Sequence, residues 1–299
     1  MQASAHPSDT LFEEHRRLMF GVAYRMLGSV QEAEDAVQDA YLRYRGAGVE
    51  PDHPKAYFTT ITTRLCMDRL KSARMKREEY IGVWLPEPFI ERDGDPLTPE
   101  SLVAHEADVS MAFLMMLERL GPIERAVFLL REVFDYDYAE IAPVVERSEA
   151  ACRQAFRRAR EHVAEERRRF HPSAEEARML TARFAQAVGE GDVAGLIELL
   201  HHDAVIYSDG GGKVAAALNP VFGADRVARY AIGVTKKTET LRVESLRVNG
   251  VPGLALYDER DRIHSILVAD IHDGRMASIY VVRNPDKLRM PKILPNLAI

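Results

Sequence analysis

The sequence predicts a multidomain protein in which two all-α domains precede one α+β domain. Three observations predict it. At 299 residues the chain exceeds an ordinary single domain. Apolar residues recur with helical spacing through 11–78 and again through 106–170. From residue 241 onward, short strand-like apolar runs follow one another, separated by turn signals. Helices first and consecutive strands last put the sheet in its own α+β unit. The boundaries read this way are 9–79, a linker at 80–105, 106–170 and 174–290.

The elements follow in order. Leu11, His15, Leu18, Val22 and Met26 lie on one helical stripe that Gly28 ends, and Ser29 with Glu32 spells a capping box for a helix over 32–45. A turn from Gly46 to Pro54 leads to a third helix over 55–79. Residues 80–105 carry Trp84 and six Gly or Pro residues with no period, a linker longer than a normal loop. Thr98-Pro99-Glu100 has the form of a helix start. Ile123, Val127 and Leu130 stripe the next helix. A short helix with Tyr138, Ile141, Ala142 and Val145 then turns at Glu146-Arg147 into a Ser148-capped helix reaching Arg160. That pair matches a helix-turn-helix. After Pro172, Ser173 and Glu176 repeat the capping spacing, and helices are expected at 174–188 and 192–200. A strand at 204–207, a glycine turn at 210–212 and a helix from about Ala224 precede strands at 241–248, 253–257, 263–271 and 276–282, with hairpins at Asp258–Asp261 and Asp273-Gly274. The expected sheet is antiparallel and curved.

Composition bounds the function. Apolar residues at 46% and charged residues at 29% are ordinary for a soluble protein. A net charge of −6 argues against a free-standing basic nucleic-acid binder but not against uneven charge. Cys66 and Cys152 are too few for a disulfide scaffold or zinc cluster, suit a reducing cytoplasm and read as small core residues. No metal and no cofactor are expected. No apolar run approaches the roughly 20 residues that span a bilayer. The start MQASAHPSDT is no signal peptide, so a cytoplasmic location without a membrane partner is expected.

Chemistry concentrates on the helix opened by Ser148. Cys152, Ala155, Phe156 and Ala159 form its packing stripe, while Arg153, Gln154, Arg157 and Arg158 face outward near its start. A recognition helix needs that division, because Arg and Gln read base edges and further Arg residues grip phosphate. A second basic patch holds Arg64, Arg69, Lys71, Arg74, Lys76 and Arg77 against Asp68, with Tyr57 and Phe58 upstream as base-stacking rings or plain core. The helix at 32–45 has an acidic face, either solvated or docked on a basic partner.

AEDAVQDAYLRY (33–44) and KAYFTTITTRLCMDRLKSAR (55–74) resemble region two of bacterial sigma-70-family initiation factors, and FDYDYAEIAPVVERSEAACRQAFRRARE (134–161) resembles region four. WLPEP (84–88), DGGGK (209–213) and NPDKL (284–288) narrow the resemblance to extracytoplasmic-function sigma factors with a fused SnoaL-like domain, the NTF2-like cone shared by polyketide cyclases and ketosteroid isomerases. The resemblance implies core RNA polymerase and promoter DNA as partners. It implies polymerase contacts at Asp35, Gln38 and Asp39. The downstream promoter element falls to the 46–54 loop with Arg64, Asp68, Lys71 and Arg74, and the upstream element to Ser148, Arg153, Gln154, Arg157 and Arg158. Glu146 stands where many such turns carry glycine; a left-handed conformation there costs about 1 kcal/mol. The C-terminal domain is expected to tune activity by packing on the other regions. Its contact points would be Trp84 and Pro86, Asp209, Gly210, Gly211, Gly212 and Lys213, and Asn284, Pro285, Asp286 and Lys287, with Asp209, Lys213, Asp286 and Lys287 facing the linker near Trp84.

Two other readings stay open: a stand-alone helix-turn-helix regulator whose C-terminal domain senses a small-molecule ligand, and an isomerase or cyclase. For the latter the candidates are His201, His202, Asp203, Tyr207 and Asp209. His-His-Asp reads as an exposed helix end, Asp209 as a turn residue, and the glycines lack Walker spacing, so no catalytic residue is expected.

Overall fold

The computed structural model describes residues 7–78, 80–91, 109–164, 174–237 and 242–288. Helices α1 (Pro7–Leu27), α2 (Val30–Ala47) and α3 (Pro54–Glu78) form the first bundle. Gly28, at φ 66°, ends α1, and Ser29 caps α2 by accepting from the Glu32 amide at 3.2 Å. Ala33, Ala36 and Ala40 are fully buried, so α2 presents small residues where it packs on its neighbours. Phe58 is buried among Phe12, Tyr44 and Tyr57. The expected turn at Gly46 begins later: α2 runs through it to Ala47, and Gly48 takes the left-handed cap at φ 59°.

Helices α4 (Met111–Leu117), α5 (Pro122–Glu132), α6 (Tyr138–Val145) and α7 (Glu149–Ala164) follow. Asp137 and Glu140 cap α6 reciprocally at 2.8 Å each. One apolar core runs continuously from α1–α3 into α4–α7. Arg125 of α5 is buried in that seam, donating to the Met26 carbonyl at 2.5 Å and to Glu118 at 2.7 Å. Both cysteines are buried, and burial pushes the Cys66 thiol far up, which leaves it inert.

The last unit holds α8 (Ala174–Glu190), α9 (Val193–Leu199), β2 (Leu200–Asp209), β3 (Val221–Phe222), α10 (Ala224–Lys236), β4 (Arg242–Val248), β5 (Val251–Tyr257), β6 (Ile263–His272) and β7 (Arg275–Val282). With β1 (Ile90–Glu91) at one edge, the seven-stranded sheet has the order β1-β4-β5-β6-β7-β2-β3. Three expectations change here. The sheet is mixed rather than antiparallel, because β2 pairs parallel with β7; a parallel pair needs a long crossover and leaves no hairpin signal in the sequence. Its first strand, β1 (Ile90–Glu91), belongs to the linker and pairs with Val248 and Arg247 of β4. Finally, α9 stops at Leu199 and β2 starts at once, well before residue 204.

The two faces of this sheet have different covers. Leu267, Ala269, Ile271, Ile279 and Val281 pack under α8, α9 and α10. Alternate residues Ile266, Val268, Tyr280 and Val282 pack instead against Leu85 and Ile90 of the linker and Met111 of α4. The linker is therefore part of a core. The anticipated helix start at Thr98-Pro99-Glu100 and the capping residue Ser173 lie outside the described residues. Among the described residues no helix is long and apolar enough to cross a membrane.

Candidate functional site

The outer row of α7 is built by packing. Cys152, Ala155 and Ala159 are buried, and Phe156 stacks on Phe128 with centroids 6.1 Å apart and meets the Tyr138 edge at 6.2 Å. Those contacts dock α7 on α5 and α6 and turn Ser148, Arg153, Gln154, Arg157 and Arg158 to solvent. Ser148 Oγ accepts from the Ala151 amide at 3.2 Å. Arg153 pairs with Glu149 at 2.8 Å, Arg157 with Glu161 at 3.7 Å and Arg158 with Glu124 at 3.1 Å. Exposed pairs of this kind hold about 0–1 kcal/mol each, so these guanidiniums can change partner cheaply. The connecting residue Glu146 is left-handed, φ 55° and ψ 48°.

The α3 residues divide. Asp68 and Lys71 are exposed and paired with each other at 2.9 Å. Arg64 is not directed to solvent alone: it donates to the Pro143 carbonyl at 2.7 Å and the Val144 carbonyl at 3.1 Å, and pairs with Glu146 at 3.3 Å. These are the orphan carbonyls and capping residue at the end of α6, a natural seat for a cation. Thr59 and Tyr136 share a hydrogen bond of 2.8 Å in the same seam. The side chain of Arg74 lies outside the described residues. Phe58 is wholly core, so that ring is not available for stacking on a base. On α2, Asp35 and Gln38 are exposed, while Asp39 accepts from Arg69 at 2.6 Å.

A third constellation joins the linker to the sheet. Asp209, fully buried at the end of β2, accepts from Tyr80 Oη at 2.6 Å, the Leu85 amide at 2.9 Å and Lys287 Nζ at 2.8 Å. It also accepts from the Gly211 amide at 3.0 Å, so the turn reading of Asp209 captures only part of its role. Lys287 donates to the Leu85 carbonyl at 2.5 Å and sits 4.2 Å from the Trp84 ring centroid, a cation–π distance. Asn284 Nδ2 donates to Tyr80 Oη at 2.9 Å. Burial and the Asp209 acceptor push the Tyr80 phenol well above its ordinary range.

The expected linker-facing set splits. Asp209 and Lys287 reach the linker, whereas Lys213 and Asp286 pair with each other at 2.5 Å on the surface. Pro86 and Gly210 are buried; Gly212 and Pro285 are exposed. Gly211 has φ 61°, and a Cβ there would lie 2.4 Å from Asn284 Nδ2, so both backbone and space exclude a side chain.

Several residues at this junction escape sequence reasoning. Glu87, the acid of WLPEP, accepts from Ser29 Oγ at 2.6 Å, and its amide donates to the Gly28 carbonyl at 2.8 Å. Burial pushes its carboxyl above the usual range, while Ser29 and the Gln31 amide pull it back. Asn249 is buried and left-handed at φ 53°. Its Nδ2 donates to Tyr24 Oη at 2.7 Å and the Val109 carbonyl at 2.6 Å, and its Oδ1 accepts from the Phe89 amide at 3.0 Å. One side chain thus holds α1, the linker and the approach to α4. Asn249-Gly250 carries a hairpin signal, but a turn signal says nothing about what the side chain reaches.

The enzyme candidates do not converge. Tyr207 stacks on Tyr280 at 5.5 Å on the linker-covered face, while His202 and Asp203 are exposed at the opposite end of β2 from Asp209.

Comparison with known proteins identifies the two helical regions and relatives that span nearly the whole chain. The family model Sigma-70 region 2 matches residues 11–75, and Sigma-70, region 4 matches 110–163. The chain is 33% identical over 288 residues to the ECF RNA polymerase sigma factor SigJ of Mycobacterium tuberculosis (strain ATCC 25618 / H37Rv), covering 92% of this chain and 91% of the relative. It is 32% identical over 290 residues to the probable ECF RNA polymerase sigma factor SigI of M. tuberculosis (strain CDC 1551 / Oshkosh), covering 94% and 95%. The crystal structure of M. tuberculosis SigJ superposes with a TM-score of 0.77 at 32% identity, covering 93% of this chain and 97% of that one.

Proposed function

The chain belongs to the ECF RNA polymerase sigma factors with a fused SnoaL-like C-terminal domain, and we propose on that premise how its parts divide the work. It recruits core RNA polymerase to promoter DNA. The α7 row reads the upstream element, with Arg153 and Gln154 at base edges and Arg157 and Arg158 on phosphates. The observation that carries this reading is the docking of α7, whose buried Cys152, Ala155 and Ala159 leave those four side chains facing outward together. Asp35, Gln38 and Asp39 supply the polymerase-facing polar surface of α2. Asp68, Lys71, Arg74 and Arg64 serve the downstream element.

Arg64 cannot grip the end of α6 and a promoter strand at once. The packed arrangement is therefore the resting form, and α3 separates from α6 when the factor works. The C-terminal domain sets how readily that happens, since Asp209 and Asn249 hold the linker between the two helical regions. The overall net charge of −6 suits this role, because polymerase supplies much of the non-specific phosphate attraction. The sheet face that holds Tyr207 is occupied by the linker, which favours a binding rather than a catalytic role for this domain.

The test is run-off transcription with purified core polymerase on fragments that include the region upstream of the protein's own gene. A discrete transcript dependent on the added chain is expected. Its absence, with a tightly protected two-fold DNA site formed by the chain alone, would establish a stand-alone regulator instead.

A further inference from the structure

We propose that His201, His202 and Asp203 form a binding site for a divalent transition-metal ion of the zinc class. Nothing in the promoter-directing role uses these residues, and the inference is independent of it.

The argument starts from a conflict with strand geometry. Successive side chains of a β-strand point to opposite faces, so three consecutive residues cannot bring their ends together. Here they do: one imidazole nitrogen each of His201 and His202 and one carboxylate oxygen of Asp203 lie within 4.8 Å of one another. The cause is a bulge at the start of β2. Leu200 pairs with Met276 and the next pair is Val205 with Ser278, so five steps along β2 oppose two along β7. Bulges re-aim side chains, and this one turns three donors to one side. It is held from behind, because the Ala204 carbonyl accepts from the Gly223 amide at 2.8 Å at the start of α10.

The donor set is suited to the ion. His202 Nε2 lies 2.9 Å from Asp203 Oδ2, and the two histidine rings are 4.2 Å apart between centroids. Tetrahedral zinc with bonds of about 2.0–2.2 Å separates its ligand atoms by roughly 3.4 Å. The His202 and Asp203 side chains, 77% and 79% exposed, have room to rotate toward that spacing. Imidazole with carboxylate selects zinc, cobalt, nickel or copper over magnesium and calcium. The ring of His272 borders the site, 5.8 Å from that of His201. Three protein ligands leave one coordination position facing solvent.

The experiment uses the full chain after chelator treatment, titrated with Zn2+ by calorimetry and with Co2+ by visible absorption. One ion per chain is expected, with a thermal midpoint that rises with Zn2+ concentration. His202→Ala and Asp203→Ala should each weaken binding at least tenfold and remove the Zn2+-dependent rise, with an unchanged circular dichroism spectrum. His53→Ala, at another exposed histidine, should leave both unchanged. No saturable binding, or equal binding by His202→Ala and the parent chain, overturns the site. Either result leaves run-off transcription, and with it the promoter-directing role, to be judged separately.

Discussion

Asp209 gathers a phenol, two amides and an ammonium on one buried carboxylate, and among those partners Gly211 alone belongs to its own DGGGK motif. Truncation by Asp209→Ala removes an acceptor from Tyr80, the Leu85 amide and Lys287, while Lys287 retains the Leu85 carbonyl. We expect a loss of about 3–5 kcal/mol, the usual result of breaking one side of a buried charge pair. Urea unfolding would measure it, together with faster proteolysis within residues 80–91; a change below 1 kcal/mol would show that the junction carries little stability. Glu87 gives a pH-dependent prediction. Its folded pKa is raised, so the folded protein binds that proton more tightly than the unfolded chain, and the group destabilises most where it must be ionised. Glu87→Gln should therefore raise the thermal midpoint relative to the parent near neutral pH. The difference should shrink as pH falls toward the ordinary glutamate range, where the parent carboxyl becomes neutral. A difference that grew on acidification would contradict the assignment. The DGGGK and WLPEP runs were legible as motifs; that Asp209 is buried and Lys213 exposed was not, because burial depends on which segment covers them.

At the scale of elements, α7 and α3 ask different questions. The stripe and cap of α7 are local, so both the helix and its outward row could be read from spacing. Replacing Arg153 and Gln154 by alanine should reduce transcription from the cognate promoter at least tenfold, on the scale of about 1–3 kcal/mol per base-reading contact. The thermal midpoint should stay within a degree or two, since neither side chain is buried. A parallel fall in stability would mark them as structural instead. For α3, Arg64→Ala removes two carbonyl contacts and an ion pair to α6. Hydrogen–deuterium exchange should rise along α6 and the Glu146 turn while α1 and α2 are unaffected; unchanged exchange would mean that Thr59–Tyr136 and the apolar seam suffice to hold the regions together. Nothing local in α3 announces this partner. The end of α6 presents carbonyls to any nearby cation, and only the packing of the two helical regions decides that the cation is Arg64.

For the whole molecule, the sheet has two faces and the C-terminal unit covers only one of them itself. The other packs on Leu85, Ile90 and Met111, all at most 2% exposed. A chain ending near Arg169 bares those residues and deletes Asp209 and Asn249, so it should be less soluble and more readily cleaved in the linker. In run-off transcription with core polymerase it should differ in activity from the full chain at equal folded concentration. Equal activity and equal solubility would remove any modulating role from the domain.

The sequence by itself determined most of the helices, the Gly28, Ser29 and Ser148 caps, the helix-turn-helix and the strands from β4 to β7. Those depend on periodicity and capping within a few residues, which any short window contains. Tertiary structure alone decided the parallel β2–β7 pairing, the recruitment of linker strand β1, the junction at Asn249 and the engagement of Arg64. Each of these joins groups far apart in the chain, and their energies depend on burial and approach that no local pattern encodes. Asp209 and the Leu85 amide, 124 positions apart, are 2.9 Å from each other only because a sheet face needed a cover and the linker supplied it.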